Sequence, residues 1–277
     1  MTDQHHLLCI GFGYVASRVA GLLMDDEDNE WRFSGTSRNQ EKINALSVQG
    51  INMVEFDDPQ LDYLVSSASH ILVSTAPNSD GCPTFERIGD KIKPDTHIIY
   101  LSATSVYGDQ KGKWVDENSM ATRISQRGKS RLLAEKSWAS KNATLLRLGA
   151  IYGPGRNVLP SLIAGEARRY TKTKQVFCRI HVVDIAHIIG EVFNQEITSE
   201  VFNVVDDNPS SQSDLLVFAA ELLKRDPPPE EPLKKAPESV QAFYAENRRV
   251  KNDKVKDTLG LTLQYPSYED GLPSLLD

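Results

Sequence analysis

Cysteine is scarce in this chain, with 3 residues among 277. Cys9, Cys82 and Cys178 lie far apart, and none of them forms a CxxC or a Cys/His spacing. An odd number of widely spaced cysteines indicates neither a disulfide framework nor a zinc site. We therefore expect no metal site and reduced, mostly buried thiols, as in a cytoplasmic protein.

Long apolar runs and blocks of positive charge are also missing. No stretch approaches the roughly 18 apolar residues of a membrane span. The start, MTDQHHLLCIG, passes from a polar tip into a strand-like run, which is not typical of a signal peptide. The net charge is −7 and no segment is rich in lysine or arginine. These features argue against a membrane or nucleic-acid partner.

What the first half does contain is a regular alternation of short apolar runs with helical patterns. In VASRVAGLLM and RLLAEKSWA, apolar residues recur at three- and four-residue spacing. Strands that alternate with helices predict a parallel sheet covered on both faces, a Rossmann-like, doubly wound α/β fold. The strand-like runs are LLCIGFG, RFSGTS, INMVEF, HILVSTAP, HIIYLSA and ATLLRLGAIYG.

The pattern changes after IYGPGR. We predict a helix over about 160–170, a strand in FCRIHVV, Asp184 as the N-cap of the next helix, and a strand in VFNVVD. Ser211 and Asp214 predict a capping box, and Gly260 is expected to end a short helix before an extended terminus. We expect a Rossmann domain over 1–151 and 181–207, and a smaller α+β substrate domain over 152–180 and 208–277.

The strongest local signal is CIGFGYVASRVA, directly after the first predicted strand. Gly11, Gly13 and Ala16 have GxGxxA spacing, which suits a tight turn, close approach of a pyrophosphate and helix–strand packing. The helix start adds amide donors and a positive dipole end. The alternative is a glycine-rich turn without a ligand. The predicted dinucleotide contacts in this turn are Gly11, Phe12, Gly13, Tyr14, Val15 and Ala16.

The end of the second strand bears on the choice of dinucleotide. An NAD site usually has an acidic residue there, whereas this chain has Ser37 and Arg38, and no acid before Glu41. A guanidinium suits a 2′-phosphate, which favours NADP over NAD, although Arg38 as a solvated loop residue is the alternative. Further predicted contacts are Asp57 with the adenine, and Thr75, Ala76 and Pro77 with the ribose.

Several longer phrases occur together over essentially the whole chain: LSATSVYGD, LRLGAIYGPGRN, IHVVDIAHII, FNVVDD and NRRVKNDKVKDTLGLTLQYPSYEDGL. With them the chain resembles the extended short-chain dehydrogenase/reductases, which are NAD(P)-dependent epimerase/dehydratase proteins. The resemblance implies a Rossmann domain, a small-molecule substrate such as a nucleotide sugar in a cleft beside the smaller domain, and a homodimer formed through a helical bundle.

The resemblance also shows an atypical catalytic set. The family phrase YxxSKxxxE matches RGKSRLLAE, so Arg127 occupies the tyrosine position and Arg131 the lysine position, while Ala103 replaces the serine or threonine. An arginine stays protonated and cannot serve as the acid/base, but it can stabilise negative charge. Thr104 and Ser105 replace the carboxylates of the family's dehydratases, which argues against that mechanism.

The remaining candidates follow from the same resemblance. Tyr107 or Thr104 could supply the missing proton donor, although the VYG tyrosine commonly serves packing, and Arg131 could reach the nicotinamide ribose. The predicted substrate contacts are Thr104, Arg156, Asn157 and Arg249, with Arg248 beside the last. Ser102 and Ala103 are further predicted cofactor contacts, and His181 is expected to be a hydrogen-bonded structural residue.

Two functional hypotheses remain open from the sequence. The first is an NADP-dependent reductase or epimerase that acts on a sugar-type or other small anionic or carbonyl substrate through a non-standard donor. The second is a catalytically silent protein that binds the dinucleotide to regulate a partner or to sense redox state. The preserved glycine turn favours the first, and the replaced catalytic residues favour the second.

Overall fold

The computed structural model describes residues 5–25, 31–122 and 124–276. The chain divides into two units. The first comprises residues 1–102, 129–147 and 185–202, and the second comprises residues 103–128, 148–184 and 203–277. This division differs from the sequence-based one chiefly at 103–128, which belongs to the second unit. Its strand at 114–115 pairs with residues 249–250, and this pairing accounts for the difference.

The strands in chain order are β1 His5–Ile10, β2 Trp31–Thr36, β3 Asn52–Val54, β4 His70–Val73, β5 His97–Ala103, β6 Trp114–Val115, β7 Thr144–Leu148, β8 Ala150–Tyr152, β9 Arg169–Thr171, β10 Arg179–His181, β11 Val201–Val204, β12 Glu230–Pro232 and β13 Arg249–Val250.

The α-helices are α1 Tyr14–Met24, α2 Gln40–Val48, α3 Gln60–Ser67, α4 Pro83–Ile88, α5 Gln126–Ala139, α6 Leu159–Ile163, α7 Val182–Asn194, α8 Gln212–Leu222, α9 Glu238–Phe243, α10 Asp253–Leu259 and α11 Tyr268–Gly271. Single 3₁₀ turns cover Gly89–Lys91, Thr104–Tyr107, Leu233–Lys235 and Pro273–Leu275.

A seven-stranded sheet in the order β11-β7-β5-β4-β1-β2-β3 organises the first unit. Strand β1 pairs in parallel with both β2 and β4, and β2–β3 and β4–β5 are also parallel pairs. The central strands are apolar on both faces because helices cover both sides. The predicted Rossmann-like, doubly wound sheet is confirmed. The strand order reverses between β1 and β4, and this switch point is where such sheets bind ligands.

The apolar core of the first unit forms beneath α3, α4 and α5. Trp138 is fully buried there against Tyr100, with ring centroids 6.1 Å apart, and its indole nitrogen donates to the Cys82 sulfur at 3.3 Å.

The three cysteines are buried and free. Within the described residues, no helix is long and apolar enough to cross a membrane, and no group of three or more potential ligands is arranged to hold a metal ion.

The second unit is built from short elements around its own core. Helices α6, α8 and α11 contribute Leu159, Leu216, Ala219 and Tyr268 to it. Small two-stranded sheets pair β8 with β10, β9 with β12, and β6 with β13. The capping box of α8 is confirmed, since Ser211 accepts from the Asp214 amide and the Asp214 side chain accepts from the Ser211 amide.

Three local predictions need correction. The helix expected over 160–170 covers only Leu159–Ile163, because Gly165 adopts a left-handed φ of 71° and a strand follows. Asp184 is not an N-cap, since α7 already begins at Val182. The terminus is not extended after Gly260, because α11 and a 3₁₀ turn follow. The end of α10 at Gly260, with φ of 65°, is confirmed.

Asp184 has a different structural task. Its carboxylate accepts hydrogen bonds from the backbone amides of Gln264, at 2.6 Å, and Tyr265, at 3.1 Å. It is 2% exposed, so these amide donors take the place of water around a buried charge. Asp184 therefore fastens the carboxyl-terminal segment to the first turn of α7.

Candidate functional site

The glycine turn connects β1 to α1 at the switch point of the sheet. Gly11 has φ of 82°, and a Cβ there would lie 2.9 Å from the Thr75 Cγ2 atom. The Gly11 amide donates to the Thr36 hydroxyl at 2.9 Å, and the Phe12 amide donates to the Thr36 carbonyl at 2.8 Å. The Ser74 hydroxyl donates to the Gly11 carbonyl. Strands β2 and β4 thus hold the turn from both sides.

The second glycine leaves the helix start open. A Cβ on Gly13 would meet only the Gly11 carbonyl oxygen, at an ordinary 3.7 Å. Gly13 is the N-cap of α1, and no side chain caps the helix. The first-turn amides of a helix have no intrahelical acceptor. Ala16 is fully buried, as helix–strand packing requires, together with Phe12 and Val15, whereas Tyr14 is half-buried.

The end of β2 presents a cation and no carboxylate. Arg38 is exposed, and Ser37 accepts a hydrogen bond from the Asn39 amide at 3.1 Å. Asn39 then caps α2 through the Lys42 amide at 2.9 Å. The loop is thus ordered by its own hydrogen bonds, which leave the guanidinium of Arg38 on the surface.

The other predicted dinucleotide contacts lie after β3 and β4 of the same unit. Asp57 and Ala76 are exposed, while Thr75 and Pro77 are half-buried. The hydroxyls of Thr75 and Thr84 lie 2.6 Å apart, which ties the end of β4 to the start of α4. These predicted dinucleotide contacts therefore all lie at the carboxyl ends of adjacent parallel strands, namely β1, β2, β3 and β4.

Ser102 belongs to a buried polar network instead of standing free for a ligand. Its hydroxyl donates to the Glu135 carboxylate at 2.6 Å, and Arg147 pairs with the same carboxylate at 2.8 Å. Glu135 is 4% exposed, so the two partners neutralise a charge that would otherwise be costly to bury. Ala103, the next residue, is half-buried. The network fixes the end of β5 against α5.

The two arginines of α5 are placed differently. Arg131 is half-buried, and its guanidinium donates to the Leu101 carbonyl at 2.7 Å and to the Tyr100 hydroxyl at 3.3 Å. Arg127 is exposed, with its guanidinium 5.8 Å from the Phe243 ring centroid. Burial raises the pKa of Tyr100 to about 12, with Arg131 opposing the shift. The Arg131 guanidinium thus already makes two hydrogen bonds to residues at the end of β5.

Tyr107 is buried, with 1% exposure, in the 3₁₀ turn that follows β5. Its hydroxyl donates to the Asn203 side-chain oxygen at 2.7 Å, and Thr104 of the same turn is also buried. A proton donor must reach its substrate within hydrogen-bond distance. The catalytic role of Tyr107 stays a prediction that this burial opposes, and the packing alternative is favoured.

The predicted substrate contacts of the second unit are mostly engaged with their own loops. Asn157 donates to the Gly153 carbonyl at 3.1 Å and accepts from the Leu159 amide at 2.9 Å. Arg249 donates to the Gly112 carbonyl, and Arg248 pairs with Glu246 at 2.6 Å. Arg156 is exposed. Of this group, only Arg156 presents its charge on the surface.

An open cavity of about 900 Å³ lies within the second unit. The rings of Tyr170, Tyr244 and Tyr268 line it, together with polar side chains of residues 171–175 and 210–214. Gln175, also in the lining, is 2% exposed. Its Nε2 donates to the Glu246 carbonyl at 2.9 Å, whereas its buried Oε1 has no hydrogen-bond partner among the described residues. The lining of the cavity therefore combines aromatic surfaces with a buried amide oxygen that has no partner among the described residues.

A buried arginine supports one wall of this cavity. Arg179 donates to the Ser210 hydroxyl at 2.7 Å and to the Gln212 side-chain oxygen at 3.1 Å. Burial lowers the pKa of Arg179, and nearby Asp206 opposes that shift. Burial likewise raises the pKa of Asp206 to about 8 against the effect of Arg179. The pair shapes the 210–212 segment from inside the fold.

Sequence reasoning missed Asn203, Gln175 and Arg179. Gln175 lies in the segment before β10 and gave no local signal. Asn203 lies on β11 among apolar residues, and Arg179 begins β10. A polar side chain within an otherwise apolar phrase needs a buried partner. That signal was present in FNVV and CRIHVV. It indicates that a partner exists but not which one, because the partners lie far away in the sequence. His181 is buried, as expected, and its Nδ1 accepts from the Val183 amide at 3.3 Å.

Comparison with solved structures identifies a relative. A functionally unknown conserved protein from Silicibacter pomeroyi is 37% identical, with a TM-score of 0.89 and coverage of 98% of both chains. The chain belongs to the same family as this protein. No protein-family model and no curated protein matches the chain.

More distant structures share the fold of this family. UDP-glucuronic acid 4-epimerase from Bacillus cereus, in a complex with a UDP sugar and NAD, is 16% identical with a TM-score of 0.78, over 98% of this chain and 97% of that chain. ADP-L-glycero-D-manno-heptose-6-epimerase from Helicobacter pylori has the same identity and TM-score, 16% and 0.78, over 99% and 96%. These distant structures show the fold alone, and it is the fold that the resemblance to the epimerase/dehydratase proteins implied.

Proposed function

We propose that the chain is an NADP-dependent epimerase or reductase that acts on a nucleotide sugar or another small anionic or carbonyl substrate. The observation that carries this proposal is the turn from Gly11 to Ala16. It lies at the switch point of the parallel sheet. A Cβ on its second glycine would meet only the Gly11 carbonyl oxygen, at an ordinary contact distance, and no side chain caps the helix that follows. That is the geometry a pyrophosphate requires.

The residues present fit a nicotinamide dinucleotide. Gly11 to Ala16 would hold the pyrophosphate, Thr75 to Pro77 the ribose, and Asp57 the adenine. The exposed guanidinium of Arg38 would pair with a 2′-phosphate, and the absence of a carboxylate at the end of β2 supports NADP over NAD. When bound, the nicotinamide would accept or deliver a hydride. The NAD bound in the distant Bacillus cereus epimerase supports a nicotinamide cofactor here.

The second unit would bind the substrate. Its cavity combines tyrosine rings, which suit a sugar or base face, with hydroxyl and amide groups that suit sugar hydroxyls. The unpartnered Gln175 Oε1 is an acceptor that a ligand hydroxyl would satisfy. The exposed Arg156 could add a contact to an anionic group. The nucleotide-sugar substrates of the distant epimerases support this substrate class.

The chemistry would depend on charge stabilisation by arginine. Arg127 and Arg131 stay protonated and cannot exchange a proton near neutral pH. The exposed guanidinium of Arg127 can stabilise a negative charge that develops on a substrate oxygen. Arg131 has donors beyond the two used on β5 and could reach the nicotinamide ribose. Thr104, although buried, remains the other candidate proton donor.

The proposal is tested by titrating the purified protein with NADP⁺, NADPH, NAD⁺ and NADH in a calorimeter, and then assaying it with UDP-glucuronic acid, UDP-glucose and simple carbonyl compounds. We expect saturable binding with NADPH preferred, and product formation with at least one substrate. The Gly13→Val variant should lose binding, while the Gly21→Ala variant in the same helix should retain it. Absence of binding by all four dinucleotides would refute the proposal.

A second function is favoured by one specific observation. Ala103, Arg127 and Arg131 stand where the family has its serine, tyrosine and lysine. Tyr107, the candidate replacement for the proton donor, is buried. The alternative is a catalytically silent protein that binds NADP(H) to regulate a partner or sense redox state. It predicts dinucleotide binding without turnover, and different affinities for the oxidised and reduced forms. Turnover that disappears in Arg127→Met, while NADPH binding persists, would exclude it.

A further inference from the structure

A cluster of imidazoles lies at the amino ends of three adjacent strands, at the edge of the sheet opposite the glycine turn. His5 and His6 begin β1, His70 begins β4 and His97 begins β5. These are four of the chain's 6 histidines. In the sheet β4 lies between β1 and β5, and His70 pairs with His97 in the β4–β5 register. We call these four residues the histidine cluster.

The rings of His5, His70 and His97 pack in a row with His70 at the centre, and His70 also packs on two other aromatic residues, whereas His6 lies on the opposite face of β1. The His70 centroid lies 5.2 Å from that of His5 and 5.2 Å from that of His97, the latter nearly parallel at 24°. Trp31 lies 4.9 Å from His70, and Phe193 of α7 lies 4.8 Å from it. His70 is 6% exposed. It is thus enclosed on several sides by aromatic rings.

Polar contacts around the cluster come from hydroxyls and one cation. The His70 Nδ1 atom lies 2.9 Å from the Ser69 hydroxyl. His6, which is 2% exposed, has its Nε2 atom 2.7 Å from the Ser34 hydroxyl and its Nδ1 atom 3.0 Å from the Arg32 guanidinium. The ion pairs of the described residues include none of these histidines. Among residues 5–25, 31–122 and 124–276, no carboxylate forms an ion pair with these imidazoles.

Each element packed against the cluster contributes neutral or positive groups in these contacts. Strand β2 contributes Trp31 and Arg32, helix α3 contributes the Ser67 hydroxyl at 3.4 Å from His6, and α7 contributes Phe193. The buried His97 Nδ1 atom has no hydrogen-bond partner among the described residues.

We propose that the histidine cluster is an acid-sensitive contact, which holds the amino ends of β1, β4 and β5 together while the imidazoles of His70 and His6 are neutral and releases them when these two are protonated. Burial, and then the neighbouring His97 and His5, lower the pKa of His70 to about 3. Burial and Arg32 lower the pKa of His6. The inference concerns the first unit alone and does not depend on the proposed enzymatic function.

The sign of the pH effect follows from these lowered pKa values. Between the ordinary histidine value of 6.5 and about 3, the unfolded chain carries a proton on His70 that the folded chain excludes. The unfolded state then binds more protons, so stability is lost as the pH falls through 6.5 and is fully present above it. Each such group raises the unfolding equilibrium constant by up to about tenfold per pH unit.

The test compares urea unfolding of the wild type, His70→Phe and His187→Phe between pH 8 and pH 5. The phenylalanine at 70 keeps the aromatic packing, and His187 is an exposed histidine of α7 that serves as the matched control. We expect the unfolding equilibrium constant of the wild type and of His187→Phe to rise equally steeply below pH 6.5. In His70→Phe the slope of this rise should be smaller, because unfolding then takes up about one proton fewer. Equal pH dependence of all three proteins would overturn the proposal.

A second measurement needs only the wild type, in case His70→Phe does not fold. Hydrogen exchange is followed at pH 7.5 and pH 5.5, with rates corrected for the intrinsic pH dependence of amides. We expect residues 7–10 and 71–73 to lose at least tenfold in protection at pH 5.5, while residues 150–152 and 179–181 of the second unit keep theirs. A loss of the same size in both sets would contradict an acid-sensitive contact at the histidine cluster.

Discussion

The hydroxyl of Tyr107 donates a 2.7 Å hydrogen bond to the side-chain oxygen of Asn203, and both residues are buried. Tyr107 follows β5 and Asn203 lies on β11, 96 positions later in the chain. The buried Asn203 nitrogen has no hydrogen-bond partner among the described residues, so the amide is already under-satisfied. The bond thus anchors the turn beyond β5, and it favours a packing role for Tyr107 over the predicted catalytic one.

Tyr107→Phe should therefore destabilise the protein. Removing the hydroxyl leaves the Asn203 oxygen buried without a donor, which costs about 1–3 kcal/mol. Urea denaturation monitored by circular dichroism measures the change. The matched control is Tyr63→Phe, since Tyr63 is 66% exposed and should lose nothing measurable. Loss of turnover in Tyr107→Phe without any loss of stability would restore Tyr107 as a catalytic candidate.

The two glycines of the turn should respond differently to alanine. Gly11→Ala combines a left-handed φ of 82° with a Cβ 2.9 Å from Thr75, so it should lower stability by about 1–3 kcal/mol. Gly13→Ala should fold normally, because its Cβ meets only an atom at 3.7 Å. It should nevertheless weaken NADPH binding, since the Cβ occupies the space proposed for the pyrophosphate. Thermal unfolding and calorimetry separate the two effects, and unchanged NADPH affinity in Gly13→Ala would argue against a pyrophosphate there.

Arg38→Ala should change the dinucleotide preference without affecting the fold. Arg38 is exposed, so the variant should unfold at the same temperature as the wild type. Loss of a charge-assisted contact with the 2′-phosphate should weaken NADPH binding by about tenfold or more, and NADH binding much less. Lys42→Ala, which removes a cation from the following helix, is the control. Equal weakening of NADPH and NADH would indicate that Arg38 does not read the 2′-phosphate.

The buried ion pair of Glu135 and Arg147 should stabilise the fold mainly because each charge neutralises the other. Glu135→Gln leaves Arg147 buried without its counter-ion and should cost about 3–5 kcal/mol. The double variant Glu135→Leu with Arg147→Met should recover much of that loss, because neither charge then remains buried. Asp62→Asn, which breaks the partly exposed pairs of Asp62 with Arg87 and Lys91, should change stability little. A double variant no more stable than Glu135→Gln would show that the pair contributes by more than mutual neutralisation.

Much of the fold could be predicted from the sequence because its signals are local. Apolar runs bounded by glycine and polar residues marked the strands of the large sheet, and GxGxxA marked the start of α1. Ser211 with Asp214 and Gly260 marked helix ends through their own backbone chemistry. Each of these signals lies within a few residues of the structure it specifies.

The failures arose where a distant contact decides the outcome. Asp184 has the residue type and position of an N-cap, yet its carboxylate accepts from amides 80 and 81 positions later. Tyr107, a predicted proton donor, is buried and bonded to a partner on β11 that no local pattern indicated. The helix predicted over 160–170 ended early, because β12 pairs with residues 169–171 and requires them to be extended. No local pattern encodes such partners.

The order of the sheet has a consequence for biosynthesis. Strand β7 ends at Leu148, but its outer neighbour β11 begins only at Val201, about 50 residues later. At the usual rate of elongation a ribosome needs roughly 3–10 s to make that length. Throughout this interval the nascent polypeptide exposes an unpaired backbone edge, which other chains can join. The yield of folded protein in a cell should therefore rise when chaperones that bind such edges during translation are more abundant.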